Sequence, residues 1–160
     1  VMGVGESFGE ACAKAMKAAQ YGIPRPGQAF LSVRDADKER LVPIAENLVC
    51  RGYSLIATGG TCRYLRERGL ICEAINKVDE GRPPLVEAIK NGEVEFIVNT
   101  TEGSQAIADS FSIRREALQY KVSYTTTIAR GWATLQAIDH EFDPDVHSLQ
   151  ELHGAGMNRT

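Results

Sequence analysis

Five short apolar runs, each followed by a stretch with helical spacing or turn signals, constrain this chain more than any other feature. The runs are residues 29–33, 53–56, 70–75, 95–98 and 122–124. After the first, Leu41, Ile44, Ala45, Leu48 and Val49 share one helical face. Asp37 can cap that helix and Gly52 can end it. A second helix is expected over 62–68, closed at Gly69. Pro83 and Pro84 can open a third that runs through Ile89 and stops at Gly92. A helix near 103–110, a turn at 112–115 and a last helix over 126–138 complete the pattern. Strands alternating with helices build βαβ units. The expected fold is therefore α/β, a Rossmann-like, doubly wound, parallel five-stranded sheet.

The two ends of the chain depart from this rhythm. Residues 7–19 read as a helix, with Ser7 and Glu10 in the S-x-x-E capping pattern. Phe8, Ala11, Cys12, Ala15, Met16 and Ala19 fall on one face, and Gly22, Pro24, Pro26 and Gly27 break the helix. This apolar stripe needs a partner, in the main domain or in a neighbour outside it. Residues 139–160 carry turn signals and one apolar patch, Val146, Leu149 and Leu152. The chain begins with Val1 rather than Met, as a piece of a longer protein would.

Composition excludes several classes. The 160 residues are 43% apolar and 24% charged, ordinary values for a globular domain with its own core. A net charge of −3 argues against a general nucleic-acid or membrane-surface binder. Neither a membrane span nor a signal peptide is recognisable. Cys12, Cys50, Cys62 and Cys72 form no C-x-x-C pair, and Cys50 and Cys72 lie in apolar sequence, so reduced core thiols of a cytoplasmic protein are expected. His140, His147 and His153 come late and without ligand spacing, so no metal site is expected.

The chemistry concentrates where the strands end. Ile56-Ala57-Thr58-Gly59-Gly60-Thr61 follows a strand, passes through two glycines and opens a helix. Backbone N–H groups, threonine hydroxyls and the helix start together form an anion cradle. Ligands of open α/β sheets bind outside the carboxyl ends of the strands. The same edge should collect Lys38, Lys77 and Asn99-Thr100-Thr101. Lysines are point charges suited to phosphate. No G-x-S-x-G elbow or Walker A loop occurs, and the nearest carboxylates, Glu102 and Asp109, are poorly placed for acid–base work. The edge looks built to bind an anion rather than to transform one.

These residues resemble the C-terminal regulatory domain of the carbamoyl-phosphate synthase large subunit, which has the methylglyoxal-synthase-like fold. The resemblance runs over about residues 28–153. Its carriers include Phe30-Leu31-Ser32-Val33-Arg34, Asp37-Lys38-Glu39-Arg40, the Thr-Gly-Gly-Thr loop, Asn76-Lys77-Val78 with Glu80-Gly81-Arg82-Pro83, and Asn99-Thr100-Thr101. Ile113-Arg114-Arg115 and Val122-Ser123-Tyr124-Thr125-Thr126-Thr127 extend it.

The resemblance implies a domain that binds allosteric effectors of the UMP and IMP type, with no catalytic residue and no cofactor of its own. The parent ligase would hydrolyse glutamine and use ATP with Mg or Mn, in pyrimidine and arginine synthesis. By the same carry-over, Lys38, Thr58, Gly59, Gly60, Thr61, Lys77, Asn99, Thr100 and Thr101 would surround the nucleotide phosphate. Tyr124 and Thr126 would contribute to an ornithine site at the junction with the preceding synthetase domain. Residues 1–22 would be the end of that domain and its linker, and 23–160 the regulatory domain. Partners would be the rest of the large subunit and the glutaminase small subunit, in the cytoplasm, with a possible homo-oligomer and neither nucleic acid nor membrane. Relatives often carry a basic residue after Gly103, where this chain has Ser104-Gln105 behind Glu102, which leaves the pocket less positive.

Two other readings compete. A free-standing lyase of the methylglyoxal-synthase type needs Gly-Gly-Asp after the fourth strand and a nearby histidine. Here that loop is Asn99-Thr100-Thr101-Glu102-Gly103, and no histidine precedes His140. IMP cyclohydrolase shares the Thr-Gly-Gly-Thr loop but not the Ile113-Arg114-Arg115 to Tyr124 signature. The last alternative is an interaction domain with a vacant pocket.

Overall fold

A computed structural model of the chain describes residues 1–20, 22–75, 84–102, 108, 110–140, 146, 148 and 150–151. Among them five parallel strands form one sheet: β1 (Gln28–Ser32), β2 (Ser54–Ala57), β3 (Glu73–Ala74), β4 (Val94–Asn99) and β5 (Ser123–Thr125). Their order is β3-β2-β1-β4-β5. The helices are α1 (Phe8–Ala18), α2 (Lys38–Cys50), α3 (Gly59–Arg66), α4 (Pro84–Lys90), α5 (Phe111–Gln119) and α6 (Ile128–Ile138). Strand order reverses direction between β1 and β4, where Ser32 lies opposite Asn99. That is the switch point of the expected doubly wound sheet.

The two faces of the sheet follow from strand alternation. Ala29 and Leu31, Leu55 and Ala57, and Phe96 and Val98 turn to one side, against α2, α3 and α6. Phe30, Ile56 and Ile97 turn to the other, against α4 and α5. Strands buried on both faces read as continuous apolar runs, as these do. Phe30, Leu31, Phe96 and Ile97 are fully buried, each contributing about 1.5–3 kcal/mol of transfer free energy.

Several expectations are corrected. The helix expected from residue 62 begins at Gly59, so both glycines are its first residues and not a preceding turn. Neither has a positive φ; that conformation belongs to Gly52, Gly69 and Gly92. The strand expected over 70–75 is only Glu73–Ala74, at the edge of the sheet, because the Leu70 N–H turns back to the Leu65 carbonyl. Asp37 makes no side-chain cap; a 3₁₀ turn at Asp35–Asp37 leads directly into α2, and the carboxylate serves Arg34 instead. The turn expected at 112–115 lies inside α5, whose Ile113, Glu116 and Ala117 are buried at helical spacing. Cys50 is exposed, whereas Cys62 and Cys72 are buried. Burial pushes the Cys72 thiol up to about 12, with Cys62 adding to the shift. The helix expected near 103–110 falls mostly outside the described residues, as do Leu149 and Leu152.

Ser7 caps α1 by accepting from the Glu10 N–H at 3.2 Å. The Glu10 carboxylate reaches back to the Glu6 N–H at 2.8 Å, one residue earlier than a reciprocal box would have it. The partner of the α1 stripe is α6: Cys12, Ala13 and Met16 cluster with Ile23, Ala137 and Ile138. Phe8, expected on that stripe, is exposed.

Candidate functional site

The carboxyl ends of β1, β2 and β4 converge on a cluster of hydroxyls. Thr58 Oγ1 lies 3.4 Å from Ser32 Oγ and 3.3 Å from Thr61 Oγ1. The Thr61 hydroxyl accepts from the Val33 N–H at 3.3 Å and is fully buried. Thr58 is half-buried, in extended backbone at the N-cap of α3, and makes no side-chain cap bond. The Cys62 N–H to the Thr58 carbonyl, at 2.8 Å, is the first helical bond of α3. The N–H groups of Gly59, Gly60 and Thr61 precede it, where a helix start supplies donors and partial positive charge.

Lys38 stands over this helix start. A Cβ at Gly60 would sit 3.5 Å from Lys38 Nζ, so the glycine leaves the ammonium open space above α3. The Lys38 side chain is 18% exposed, and its ammonium meets Asp35 at 2.7 Å. Asp35 is 95% exposed, and such a surface pair is worth about 0–1 kcal/mol. An anion arriving at the cradle has little to displace.

Thr100 is engaged within the fold. Its hydroxyl accepts from the Arg34 N–H at 3.1 Å and also bonds the Asp37 carboxylate. Arg34 Nε donates to Asp37 Oδ2 at 2.7 Å. This bond holds the Asp37 carboxyl below its usual range, against burial, with Thr100 assisting. Thr100 thus ties the loop after β1 to the end of β4. Glu102 is exposed and close enough to help raise the Arg34 guanidinium, so its charge is partly answered there.

Asn99 is buried at the end of β4, and its Nδ2 donates to the Tyr124 hydroxyl at 2.7 Å. That bond links the two residue sets expected to hold different ligands. Thr101 is half-buried beside this strand end. Tyr124 and Thr126 line a cavity of about 590 Å³ on the outer side of β5. Thr126 also lines a smaller cleft of about 310 Å³ with Arg34, Arg40 and Thr100. Lys77 lies outside the described residues. Of the expected set, Lys38, Thr58, Gly59, Gly60 and Thr61 meet at one edge, with Asn99, Thr100 and Thr101 following the adjacent strand β4.

Ser32 and Tyr64 belong to this site and were not singled out. Ser32 is the last residue of β1, directly at the switch point, and that position was its signal. The Tyr64 ring lies 5.8 Å from Lys38 Nζ, one turn into α3. Among the described residues there is no cluster of His, Cys, Asp and Glu able to hold a metal. No described helix is long and apolar enough to cross a membrane.

The chain has relatives among known proteins. The MGS-like domain family matches residues 40–126. The chain is 56% identical over 153 residues to the carbamoyl phosphate synthase large chain of Xanthomonas campestris pv. campestris. It is 51% identical over 157 residues to that of Pseudomonas putida, and 50% identical over 154 residues to that of Pasteurella multocida. These alignments cover 96%, 98% and 96% of the chain and 14% of each relative, so the chain spans about a seventh of their length.

Proposed function

The chain belongs to the MGS-like domain family, and from that premise we propose that it is the allosteric effector-binding domain of a carbamoyl phosphate synthase large chain. Its ligand is a nucleoside monophosphate of the UMP or IMP class. The phosphate sits on the α3 start between Lys38 and the Thr58 hydroxyl, with Lys77 as a second cation. Asn99 and Thr101 approach the ribose side from β4, while Thr61 and Thr100 hold the loops in place. The domain binds and does not catalyse. ATP-dependent, glutamine-hydrolysing synthesis of carbamoyl phosphate belongs to the rest of the large subunit and to the small subunit, in the cytoplasm. Residues 1–22 lead in from the preceding domain.

One observation carries this reading: hydroxyls, a lightly paired lysine and an open helix start meet at the switch point of a parallel sheet. Phosphate needs that combination of donors and charge. Tyr124 and Thr126 lie beyond it and would complete an ornithine site at the domain junction. The carboxylates that ornithine's amino groups need would come from the rest of the large chain. Regulation follows from linkage: an effector that favours one arrangement of the domain by about 1–3 kcal/mol changes substrate affinity roughly 5–150-fold.

The test is isothermal titration calorimetry of the chain with UMP and IMP, beside Lys38→Ala and Lys77→Ala. Saturable binding that each alanine weakens at least about tenfold is expected, a change of about 1.4 kcal/mol. Folded protein that binds neither nucleotide, or variants that bind as well as the parent, would remove the proposal.

A further inference from the structure

Lys38 is the cation that faces the α3 start, and what holds it there decides how readily an anion is met. Among the described residues its ammonium pairs with Asp35 at 2.7 Å and stands over the Tyr64 ring, 5.8 Å from the centroid. The two partners differ in surroundings. Asp35 lies on the 3₁₀ turn before α2 and is almost fully exposed, so water competes for it. Tyr64 is half-buried on α3, four residues after Gly60 and therefore on the same helical face. Helical side chains lean toward the N-terminus, which carries the ring toward the α3 start. An ammonium within about 6 Å of a ring centroid is close enough for cation–π attraction.

The ring is itself braced. Arg68, four residues further on, stacks its guanidinium carbon 3.4 Å from the Tyr64 centroid. Its Nη1 donates to the Tyr64 carbonyl at 3.2 Å. Gly60, Tyr64 and Arg68 thus form one row along α3: open space, a ring, and a stacked cation that orders the ring. A ring and a carboxylate hold an ammonium in different ways. Asp35 accepts one of its N–H donors and offsets its charge. The face of Tyr64 takes no donor and adds no charge, so the N–H groups stay available to an incoming anion. Ordering the long lysine in advance also lowers the conformational entropy that binding must remove.

We propose that Tyr64 is a positioning residue of the anion site: its ring face holds the Lys38 ammonium beside Gly60, ordered and not neutralised, where it meets a phosphate bound to the α3 N–H groups. Asp35 acts in the opposite sense, as a competitor of that phosphate. The proposal rests on the reading of the α3 start as a phosphate site, though not on the nucleoside attached to the phosphate.

The test follows the Lys38 ε-methylene protons by NMR in the chain and in Tyr64→Phe, Tyr64→Leu and Asp35→Asn, each checked for native far-ultraviolet circular dichroism. A ring current moves protons that lie over its face upfield. Lys38 should be shifted in this way in the parent and in Tyr64→Phe but not in Tyr64→Leu, a readout that needs no ligand. Inorganic phosphate is then titrated, and UMP in a separate series. Phosphate should bind the parent and Tyr64→Phe alike, Tyr64→Leu at least about threefold more weakly, and Asp35→Asn more tightly than the parent. Tyr64→Leu binding phosphate as well as the parent would overturn the proposal. So would Tyr64→Phe as weak as Tyr64→Leu, a parent that binds no phosphate, or a Lys38 without the upfield shift. The expected phosphate pattern without UMP binding would leave Tyr64 its role and remove the nucleotide reading alone.

Discussion

Gly60 shows how a single residue divides stability from function. It occupies the second position of α3 with ordinary helical backbone, so alanine fits the conformation. An added Cβ would meet Lys38 Nζ at 3.5 Å, an ordinary contact. Gly→Ala in a helix stabilises by up to about 1 kcal/mol. The methyl nevertheless fills space beside Lys38 Nζ, where the proposed phosphate would reach the α3 N–H groups. Gly60→Ala should therefore hold or raise the urea midpoint while weakening UMP or IMP binding by about 1.5–3 kcal/mol, an unmade charge-assisted hydrogen bond. Equal affinity in the variant, by calorimetry, would place the phosphate elsewhere. The sequence showed that a glycine was needed here but not why. The motif suggested a turn, and the structure makes Gly60 the second residue of a helix.

At the scale of elements, the contact between α1 and α6 decides how the N-terminal segment is held. Gly9 is where they come nearest: a Cβ there would meet the Gln136 carbonyl oxygen at 2.7 Å and the His140 ring at 2.8 Å. The carbonyl belongs to α6 and cannot move without it. Gly9→Ala should therefore push the helices apart and cost about 1–3 kcal/mol, read by urea unfolding. It should also speed amide exchange across α1 more than across β1 and β4. A variant as stable as the parent would mean that α1 holds loosely. The S-x-x-E pattern and apolar spacing made α1 legible in sequence. Its partner was not, because α6 lies more than a hundred residues away, and periodicity names a buried face without naming what buries it. The same limit explains α5. Its four-residue Ser-Ile-Arg-Arg stretch suggests a turn by itself, and only packing of Ile113 and Ala117 on the sheet makes it helical.

For the whole molecule, two ion pairs among the described residues contribute to the response to acid. Arg34 holds Asp37 at the switch point, and Arg51 holds Asp139 in a two-bond fork between the ends of α2 and α6. Both carboxyls lie below their usual range, chiefly through those arginine hydrogen bonds. A lowered folded-state pKa means that the stabilisation is complete above the unfolded value, about 3.9, and is lost as pH falls through the folded value. Asp37→Asn should cost up to about 1 kcal/mol near pH 7, since the arginine side of the pair is exposed. The deficit should shrink as pH falls below about 4, toward the lowered value of the folded state. A deficit independent of pH, in urea titrations at both ends, would show that shape rather than charge matters at Asp37.

The sequence alone carried the order of strands and helices and the parallel, doubly wound class. It also determined which loops gather at one edge, because alternation and periodicity are local and strands buried on both faces advertise themselves. It named Lys38, Thr58, Gly60 and Asn99 before any geometry was available. Packing in three dimensions was needed to show which of these hydroxyls bond within the fold. Thr61 accepts from the Val33 N–H and Thr100 from the Arg34 N–H, while Ser32 lies beside the Thr58 hydroxyl. Packing alone brought Lys38 of α2 over the Tyr64 ring of α3, since a contact between two helices leaves no periodic trace in sequence. The division has one physical cause: burial patterns are written residue by residue, whereas the convergence of polar groups depends on how far the sheet twists and where each helix comes to rest.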